Sequence, residues 1–167
     1  MAQAMTQQWM IPTKMGSLFL LASEKGLRQI FWNRQASHLP KKLDVSIPTH
    51  AILFQAAKEL SEYFDGDRQK FHVPLDLEGT DFQQQVWQEL LKIPFGETRS
   101  YSDVAKAIKN AKAVRGVGTA NGRNPLCIIV PCHRVITADG KLGGYSGGLD
   151  KKVGLLRIEK SYRPEWD

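Results

Sequence analysis

A cysteine, a histidine and an arginine follow one another as Cys132, His133 and Arg134, inside the stretch IIVPCHRVI at residues 128–136. A thiol is mostly protonated at neutral pH, so it needs a base or an electrostatic field to become a useful nucleophile. His133 is suited to act as that base, and Glu159, in the next predicted helix, is suited to orient the imidazole. The pattern therefore predicts that Cys132 is a catalytic nucleophile.

The alternative for each cysteine is a structural role, because a free cysteine is usually a small buried hydrophobic residue. Pro131 tends to end or bend a strand, so we expect a buried strand with the thiol of Cys132 at its end. Adjacent strand residues point apart, so His133 would reach the sulfur through a water molecule. Cys127 lacks such neighbours and is predicted to be structural, and its spacing from Cys132 predicts no disulfide between them.

Composition limits the class of protein. The chain has 167 residues, 42% hydrophobic and 24% charged, which is ordinary for one or two soluble globular domains. It contains no apolar run long enough for a membrane span and no secretion signal. The four histidines show no metal-ligand spacing, so no metal is predicted, and two unpaired cysteines suit a reducing, cytoplasmic location.

Positive charge is concentrated in the second half of the chain. Residues 79–167 hold 14 Lys and Arg against 9 Asp and Glu, whereas residues 1–78 hold 9 against 8. Seven basic residues lie between positions 99 and 134: Arg99, Lys106, Lys109, Lys112, Arg115, Arg123 and Arg134. Such a run can be a solvated helix face, but beside a reactive thiol it favours a polyanionic partner.

The elements that must position these residues fall into two predicted domains of an α/β (α+β) protein. For domain 1–78 the pattern predicts two strands within residues 11–33 joined at Lys25–Gly26, a helix over 49–67 ending at Asp65–Gly66, and one more strand within 69–77. This small domain would hold three or four strands and one helix.

Domain 79–167 is predicted to be mainly helical. A helix follows the N-cap Thr80, a second is capped by Ser100 or Ser102, and a third covers 111–122, which together contain a helix-turn-helix. The active-site strand, a glycine-dense loop over 137–152 and a last helix over 151–160 complete the domain.

The second helix of the helix-turn-helix is rich in small residues: Gly116, Gly118, Thr119, Ala120 and Gly122. Each glycine costs about 1 kcal/mol relative to alanine in a helix interior. One explanation is close packing against a neighbouring helix. The other is a shallow approach of this face to the minor groove of DNA.

Three segments together resemble the O6-alkylguanine-DNA alkyltransferases: TDFQQQVWQELLKIPFGETRSYSDVA, NPLCIIVPCHRVI and GYSGG. The resemblance runs in order from about Thr80 to Glu159, and the N-terminal part is compatible with the variable α/β domain of that family. The family moves an alkyl group from alkylated guanine in DNA to its own cysteine. The thioether is not reversed, so each molecule acts once.

The resemblance implies a role for each matching residue. Cys132 would be the acceptor, His133 would deprotonate it through water, and Glu159 would hold the imidazole. Tyr101 would donate a proton to the leaving guanine, and Asn124 would be the hinge between the helix-turn-helix and the active-site strand.

The resemblance also implies a pocket and a DNA-contacting surface. The pocket residues would be Val135, Tyr145, Ser146, Gly147 and Asn121. The DNA-contacting residues would be Arg115, Gly116, Thr119, Ala120, Arg123 and Ser100, with Arg115 replacing the extruded base in the duplex. Gly144 stands where some members have asparagine. Cys127 would lie on the pocket side, as a conceivable second acceptor that lacks an activating base.

The implied partner is double-stranded DNA carrying O6-alkylguanine, bound through the minor groove without sequence preference by a protein that is monomeric when free. No cofactor and no membrane are implied, and the chain lacks ligands for the zinc that some members bind. Two alternatives remain at this point. A cysteine hydrolase would use Cys132, His133 and Glu159 with turnover, and a DNA-binding module would recognise lesions without chemistry.

Overall fold

The computed structural model describes residues 6–32 and 39–167. The chain divides into two compact units, with the boundary between Glu78 and Gly79. The helices and strands of the first unit are β1 Gln7–Thr13, β2 Gly16–Ala22, β3 Leu27–Trp32 and α1 Pro48–Phe64. Those of the second unit are α2 Asp81–Leu90, β4 Arg99–Ser100, α3 Tyr101–Ala107, α4 Val114–Gly122, β5 Val135–Ile136 and α5 Leu149–Ile158, with 3-10 turns at Cys132–Arg134 and Pro164–Trp166.

The first unit is an antiparallel sheet of order β1-β2-β3 that packs against α1. Leu18 and Leu20 on β2 are fully buried, as are Leu53 and Leu60 on α1. These four side chains form the centre of a small hydrophobic core, which removes apolar surface from water. Residues 6–32 and 39–167 contain no helix of the length and apolarity that a membrane crossing requires.

The prediction of two strands within residues 11–33 was incomplete, because two strands, β1 and β2, occupy the part before Lys25 where one was expected. The turn between β1 and β2 has none of the usual hairpin dipeptides. The hydroxyl of Thr13 closes it instead, accepting from the Met15 N–H at 3.1 Å and donating to the Gly16 carbonyl at 2.6 Å. Asn33, where the second predicted strand ends, lies outside the described residues.

The strand predicted within residues 69–77 is absent from the structure, which has a single parallel bridge there, between Leu27 and Leu75. The carboxylate of Glu59 on α1 accepts the backbone N–H groups of His72 and Val73 at 2.8 and 3.0 Å. A buried side chain therefore satisfies the donors that a strand ladder would have used.

Two helices of the second unit, α2 and α3, begin at predicted caps, whereas α4 begins at Val114 and α5 at Leu149, each without a side-chain cap. Thr80 and Gln83 form a capping box at the start of α2, and Ser100 and Asp103 form one at the start of α3. Each box satisfies two backbone donors that the first helical turn leaves free. The structure thus selects Ser100 over Ser102 as the cap, and α3 and α4 pack together as the predicted helix-turn-helix.

The segment predicted to be the active-site strand is a series of turns. Cys132–Arg134 is a 3-10 turn, and the residues in strand conformation after it are those of β5, which pairs in parallel with β4. Ile128 has a φ of 76°, in the left-handed region that β-branched residues rarely adopt. The β-branched run suggested a strand, but Asn124 holds the Val130 carbonyl at 2.7 Å and closes a turn.

Candidate active site

The thiol of Cys132 is buried at the start of the 3-10 turn, with the residue 2% exposed. A 3-10 turn places successive side chains about 120° apart, so the alternation expected of a strand does not apply to Cys132 and His133. Burial raises the pKa of the Cys132 thiol to about 11, against the opposing effects of an Asn124 hydrogen bond and the charge of Lys152. The resting thiol is therefore protonated and needs a base for activation.

His133 and Glu159, the predicted base and its predicted orienting group, form a buried hydrogen-bonded pair. The Nε2 atom of His133 lies 2.7 Å from Oε2 of Glu159, and both side chains are fully buried. The Nδ1 atom of His133 is also buried and has no hydrogen-bond partner among the described residues. Burial lowers the pKa of His133, so the imidazole is neutral at pH 7 and its Nδ1 lone pair is available to accept a proton.

Arg134 extends the hydrogen-bonded pair of His133 and Glu159 to three charged or ionisable side chains, a contact that the sequence did not predict. Its Nε and Nη2 atoms donate to the two carboxylate oxygens of Glu159 at 2.7 and 3.0 Å, and its Nη1 donates to the Ile93 carbonyl at 2.6 Å. Burial alone would raise the pKa of Glu159. The hydrogen bonds and charges of His133 and Arg134 outweigh that effect and hold its pKa well below the usual range. A bidentate arginine keeps the carboxylate ionised.

Two asparagines connect α4 and the residues after it to the thiol segment. Asn124 donates to the Val130 carbonyl at 2.7 Å and accepts from the Leu126 N–H at 2.9 Å. Asn121, on α4, is buried and donates to the Cys132 carbonyl at 3.4 Å. These bonds tie the helix-turn-helix to the active-site segment.

Tyr101 lies next to the glycine-dense loop, residues 137–148, and close to Cys132. Tyr101 is the first residue of α3, and the Gly144 backbone hydrogen-bonds its phenol oxygen. Burial raises the pKa of Tyr101, and the neighbouring Cys132 adds to that shift, so the phenol keeps its proton at neutral pH. A side chain at Gly143 would meet the Tyr101 hydroxyl at 3.1 Å, and its φ of 75° also favours glycine.

The predicted pocket residues differ in accessibility. Val135 is buried, whereas Tyr145 and Gly147 are half-buried and Ser146 is exposed. Asn121 is buried behind the thiol segment, at the Cys132 carbonyl. No described group of three or more His, Cys, Asp or Glu side chains is arranged to hold a metal ion.

Lys152 is a site residue that the sequence analysis missed. It is fully buried on α5, and its Nζ donates to the carbonyls of Val135, Leu142 and Gly144 at 2.7, 2.6 and 3.1 Å. Burial lowers its pKa to about 8, against the opposing effect of Cys132. A lysine in an amphipathic helix is usually solvent-exposed, so the sequence carries no signal for this role.

The predicted DNA-contacting residues differ in how accessible they are to a partner. Arg115, Thr119 and Arg123 are exposed, and Gly116 is half-buried. Ala120 is buried and 2% exposed, and its carbonyl accepts the indole N–H of Trp87 at 2.9 Å. We therefore leave Ala120 out of the candidate DNA-contacting surface. Ser100 is half-buried, and its side chain is occupied as the cap of α3.

Comparison with known proteins gives a family for both units. The model of the "6-O-methylguanine DNA methyltransferase, DNA binding domain" matches residues 81–161, and that of the "6-O-methylguanine DNA methyltransferase, ribonuclease-like domain" matches residues 9–77. A methylated-DNA–protein-cysteine methyltransferase of Methanosarcina barkeri is 44% identical over 156 residues, covering 90% of this chain and 95% of that protein. One of Mycobacterium bovis is 58% identical over 109 residues, covering 65% of this chain and 66% of that protein.

Solved structures agree with the sequence relatives. The Mycobacterium tuberculosis O6-methylguanine methyltransferase superposes with a TM-score of 0.80 at 43% identity, covering 96% of each chain. A structure of Mycobacterium tuberculosis OGT in complex with DNA has a TM-score of 0.80 at 44% identity, covering 93% of this chain and 92% of that one.

The fold and the site together define a two-unit α+β protein whose helix-turn-helix unit contains a buried thiol, adjacent in sequence to the hydrogen-bonded His133–Glu159 pair. The chain belongs to the family of O6-methylguanine DNA methyltransferases, and the two sequence relatives described above are methylated-DNA–protein-cysteine methyltransferases. The predicted family and the predicted two-domain fold class are confirmed.

Proposed function

We propose that this protein repairs DNA by direct reversal, moving the alkyl group of O6-alkylguanine to Cys132 once per molecule. The observation that carries the proposal is the buried Cys132 next to the His133–Glu159–Arg134 chain, in the same unit as a basic helix-turn-helix. The relatives named methylated-DNA–protein-cysteine methyltransferases support the reaction, and the OGT complex supports DNA as the partner.

The reaction begins with loss of the Cys132 proton. Neutral His133 takes that proton at Nδ1 through a bridging water, and the imidazolium that forms is stabilised by Glu159, 2.7 Å from Nε2. Arg134 keeps Glu159 ionised in both states, so the carboxylate stabilises the product of proton transfer. This role matches that of the carboxylate in other nucleophile–base–carboxylate triads.

The thiolate then attacks the alkyl carbon. A carbon–sulfur bond forms, the bond between that carbon and the guanine oxygen breaks, and the electron pair passes to the guanine. Tyr101 donates its phenolic proton to the guanine ring, which leaves as the normal base. The raised pKa of Tyr101 keeps that proton in place until negative charge develops on the purine. The thioether is stable, so the protein acts stoichiometrically.

Access to the lesion requires extrusion of the base, because the modified oxygen is covered in the duplex. Exposed Arg115 on α4 is placed to fill the gap in the base stack, while Thr119 and Arg123 contact the backbone. Val135, Tyr145, Ser146 and Gly147 line the receiving pocket. Contacts through the minor groove suit a protein that must bind any sequence.

The two units have separate proposed roles. Residues 79–167 bind DNA and transfer the alkyl group, and residues 1–78 act as a scaffold. Cys127 is buried and forms no disulfide, like Cys132, and we propose a structural role for it. Two free thiols suit the reducing conditions of the cytoplasm, which we propose as the location of the protein.

The decisive experiment is intact mass spectrometry with peptide mapping after incubation with a duplex oligonucleotide that carries one O6-methylguanine. We expect one added methyl group on the peptide that contains Cys132, saturating at one equivalent. Cys132→Ser should give no adduct and should retain DNA affinity, because the thiol supplies chemistry and not binding. Cys127→Ser is the matched control and should react like the wild type.

Three outcomes would contradict the proposal. An adduct on Cys127 would reassign the acceptor. Release of product beyond one equivalent would favour a cysteine hydrolase. Binding of the lesion without any adduct would favour a recognition module without chemistry.

A further inference from the structure

Lys152 occupies an unusual place for a cation. It is the fourth residue of α5, where the partial positive charge of the helix N-terminus disfavours another positive charge. It is fully buried, and among the described residues no carboxylate lies within ion-pair distance of it. Burial of an unpaired ammonium costs free energy, so this lysine needs a reason other than helix stability.

The first part of that reason is the set of carbonyls that the ammonium holds. Its three N–H groups are used by Val135 at 2.7 Å, Leu142 at 2.6 Å and Gly144 at 3.1 Å. Val135 immediately follows the Cys132–Arg134 turn, whereas Leu142 and Gly144 lie in the glycine-dense loop. One side chain thus joins the thiol segment to the loop that borders the proposed pocket.

The bonds from Lys152 hold the middle of the loop, between a turn that Thr137 closes with Lys141 and a turn that the Gly148 N–H closes with the Tyr145 carbonyl. The structure assigns no helix or strand to residues 137–148, and Gly143 and Gly148 have positive φ values. Glycines leave the backbone many conformations, and the bonds to Lys152 restrict the backbone at Leu142 and Gly144. The same loop hydrogen-bonds the phenol of Tyr101 through Gly144, so Lys152 indirectly positions that proton donor.

The second reason for a buried lysine at this position is electrostatic. The positive charge of Lys152 opposes the effect of burial on the pKa of Cys132, and Cys132 is the titratable group that acts on Lys152 in return. His133, on the same turn, is also affected by Lys152, whereas Tyr101 faces the thiol from α3. A thiolate at Cys132 would therefore find a buried counter-charge already in place.

We propose that Lys152 is a positioning residue for alkyl transfer, which holds the glycine-dense loop against β5 and stabilises the thiolate form of Cys132. This inference rests on the proposed function. In this proposal the ammonium of Lys152 both maintains the shape of the pocket and contributes to activation of Cys132.

The test uses Lys152→Gln, which keeps two N–H donors but removes the charge, and Lys152→Met, which removes both at similar volume. The matched control is Lys141→Gln, because Lys141 lies in the same loop with its side chain 82% exposed. Circular dichroism and thermal unfolding verify that each variant folds. The readouts are the Cys132 pKa, from thiolate absorbance against pH, and the transfer rate from free O6-benzylguanine, which requires no DNA.

We expect both variants to raise the measured Cys132 pKa by about one unit or more, since an opposite charge close by shifts a pKa by about 1–3. Transfer should slow at least about tenfold in Lys152→Gln, and further in Lys152→Met because the loop is also released. Lys141→Gln should match the wild type. An unchanged thiol pKa together with wild-type transfer in Lys152→Gln would overturn the proposal.

A measurement on the wild type keeps the proposal testable if the variants do not fold. The ammonium of Lys152 loses its charge as the pH rises through its pKa of about 8. We therefore expect the transfer rate to decline above that pH, although the thiol itself becomes more ionised. A rate that rises steadily to pH 10 would overturn the role of Lys152. A wild type that transfers no alkyl group at any pH would instead overturn the proposed function.

Discussion

At the scale of single residues, burial keeps the Cys132 thiol unreactive in the resting protein, and other groups are proposed to activate it. Burial keeps the Cys132 thiol protonated, with a pKa raised to about 11, so it resists stray oxidation and alkylation in the resting protein. In the proposed mechanism, activation depends on neutral His133 and on Glu159, which Arg134 holds ionised. Reactivity is therefore governed by the arrangement of base, carboxylate and guanidinium around the sulfur.

Replacing Glu159 by glutamine tests this chain of charges. We expect transfer to slow by about 100-fold or more, because the general base loses its orienting carboxylate. The free energy of unfolding at pH 7 should fall by about 3–5 kcal/mol, since the buried charge of Arg134 loses its partner. Single-turnover kinetics and urea unfolding measure the two effects, with Glu165→Gln, at an exposed position, as the control.

The same variant carries a pH signature. The folded pKa of Glu159 is depressed, so its ionised form contributes stability above its ordinary value of 4.5, and that contribution is lost as the pH falls toward the folded pKa. We expect the stability difference between wild type and Glu159→Gln to shrink from pH 7 to pH 3. A difference that is constant over this range would contradict the assignment.

At the scale of elements, the small residues of helix α4 have two explanations, close packing against neighbouring side chains and a shallow approach to DNA, and each applies to part of the helix. A side chain at Gly116 would meet the ring of Phe82 on α2 at 3.2 Å, and one at Gly118 would touch the Tyr101 ring at 4.0 Å. A side chain at Gly122 would meet no atom within 4 Å. Close packing thus accounts for Gly116, whereas the bare surface at Gly122 agrees with a shallow approach to DNA.

Arg115 on α4 provides the prediction at this scale. Arg115→Ala should slow transfer from duplex DNA by about 10-fold or more, because unstacking a base costs a few kcal/mol that the inserted arginine offsets. Transfer from free O6-benzylguanine should be unchanged, since no base has to be extruded. Transfer rates on both substrates give the ratio, and the control is Lys92→Ala, at a side chain that is 72% exposed in the turn after α2. Equal slowing on both substrates would rule out a role in extrusion.

At the scale of the whole molecule, the charge distribution separates the two units. The net charge is +5 over residues 79–167 (14 basic against 9 acidic) and +1 over residues 1–78 (9 against 8). Long-range attraction to phosphates therefore arises mainly from the unit that contains the thiol. Non-specific affinity of this kind allows a repair protein to bind undamaged DNA while it searches.

The affinity for undamaged duplex DNA should accordingly depend on salt and not on sequence. With the Cys132→Ser protein, we expect the logarithm of the binding constant to fall linearly with the logarithm of salt concentration. Replacing Arg123 by glutamine should reduce that slope by about 1, as expected for the loss of one phosphate contact. Fluorescence anisotropy on duplexes of different sequence makes the measurement. A salt-independent affinity, or strong preference for one sequence, would contradict this mode of binding.

Local signals in the sequence were sufficient for α2 and α3, whereas the starts of α4 and α5, which have no side-chain cap, were predicted only approximately. Thr80 and Ser100 each have a partner three residues later that completes a capping box, and the apolar spacing of α2 follows at once. The first unit was harder, because the turn after β1 depends on a threonine hydroxyl and the end of the unit on the Glu59 carboxylate. Neither contact leaves a pattern in neighbouring residues.

The sequence by itself determined the family and predicted the nucleophile Cys132, its neighbours His133 and Glu159 and the helix-turn-helix, because each depends on residue type and short spacing. The tertiary structure decided that the thiol segment is a turn, that Arg134 holds Glu159, and that Lys152 binds three backbone carbonyls. These features join residues up to 41 positions apart in the chain, as between Arg134 and Ile93. Their energies come from burial and hydrogen bonding across elements, which exist after the chain has folded.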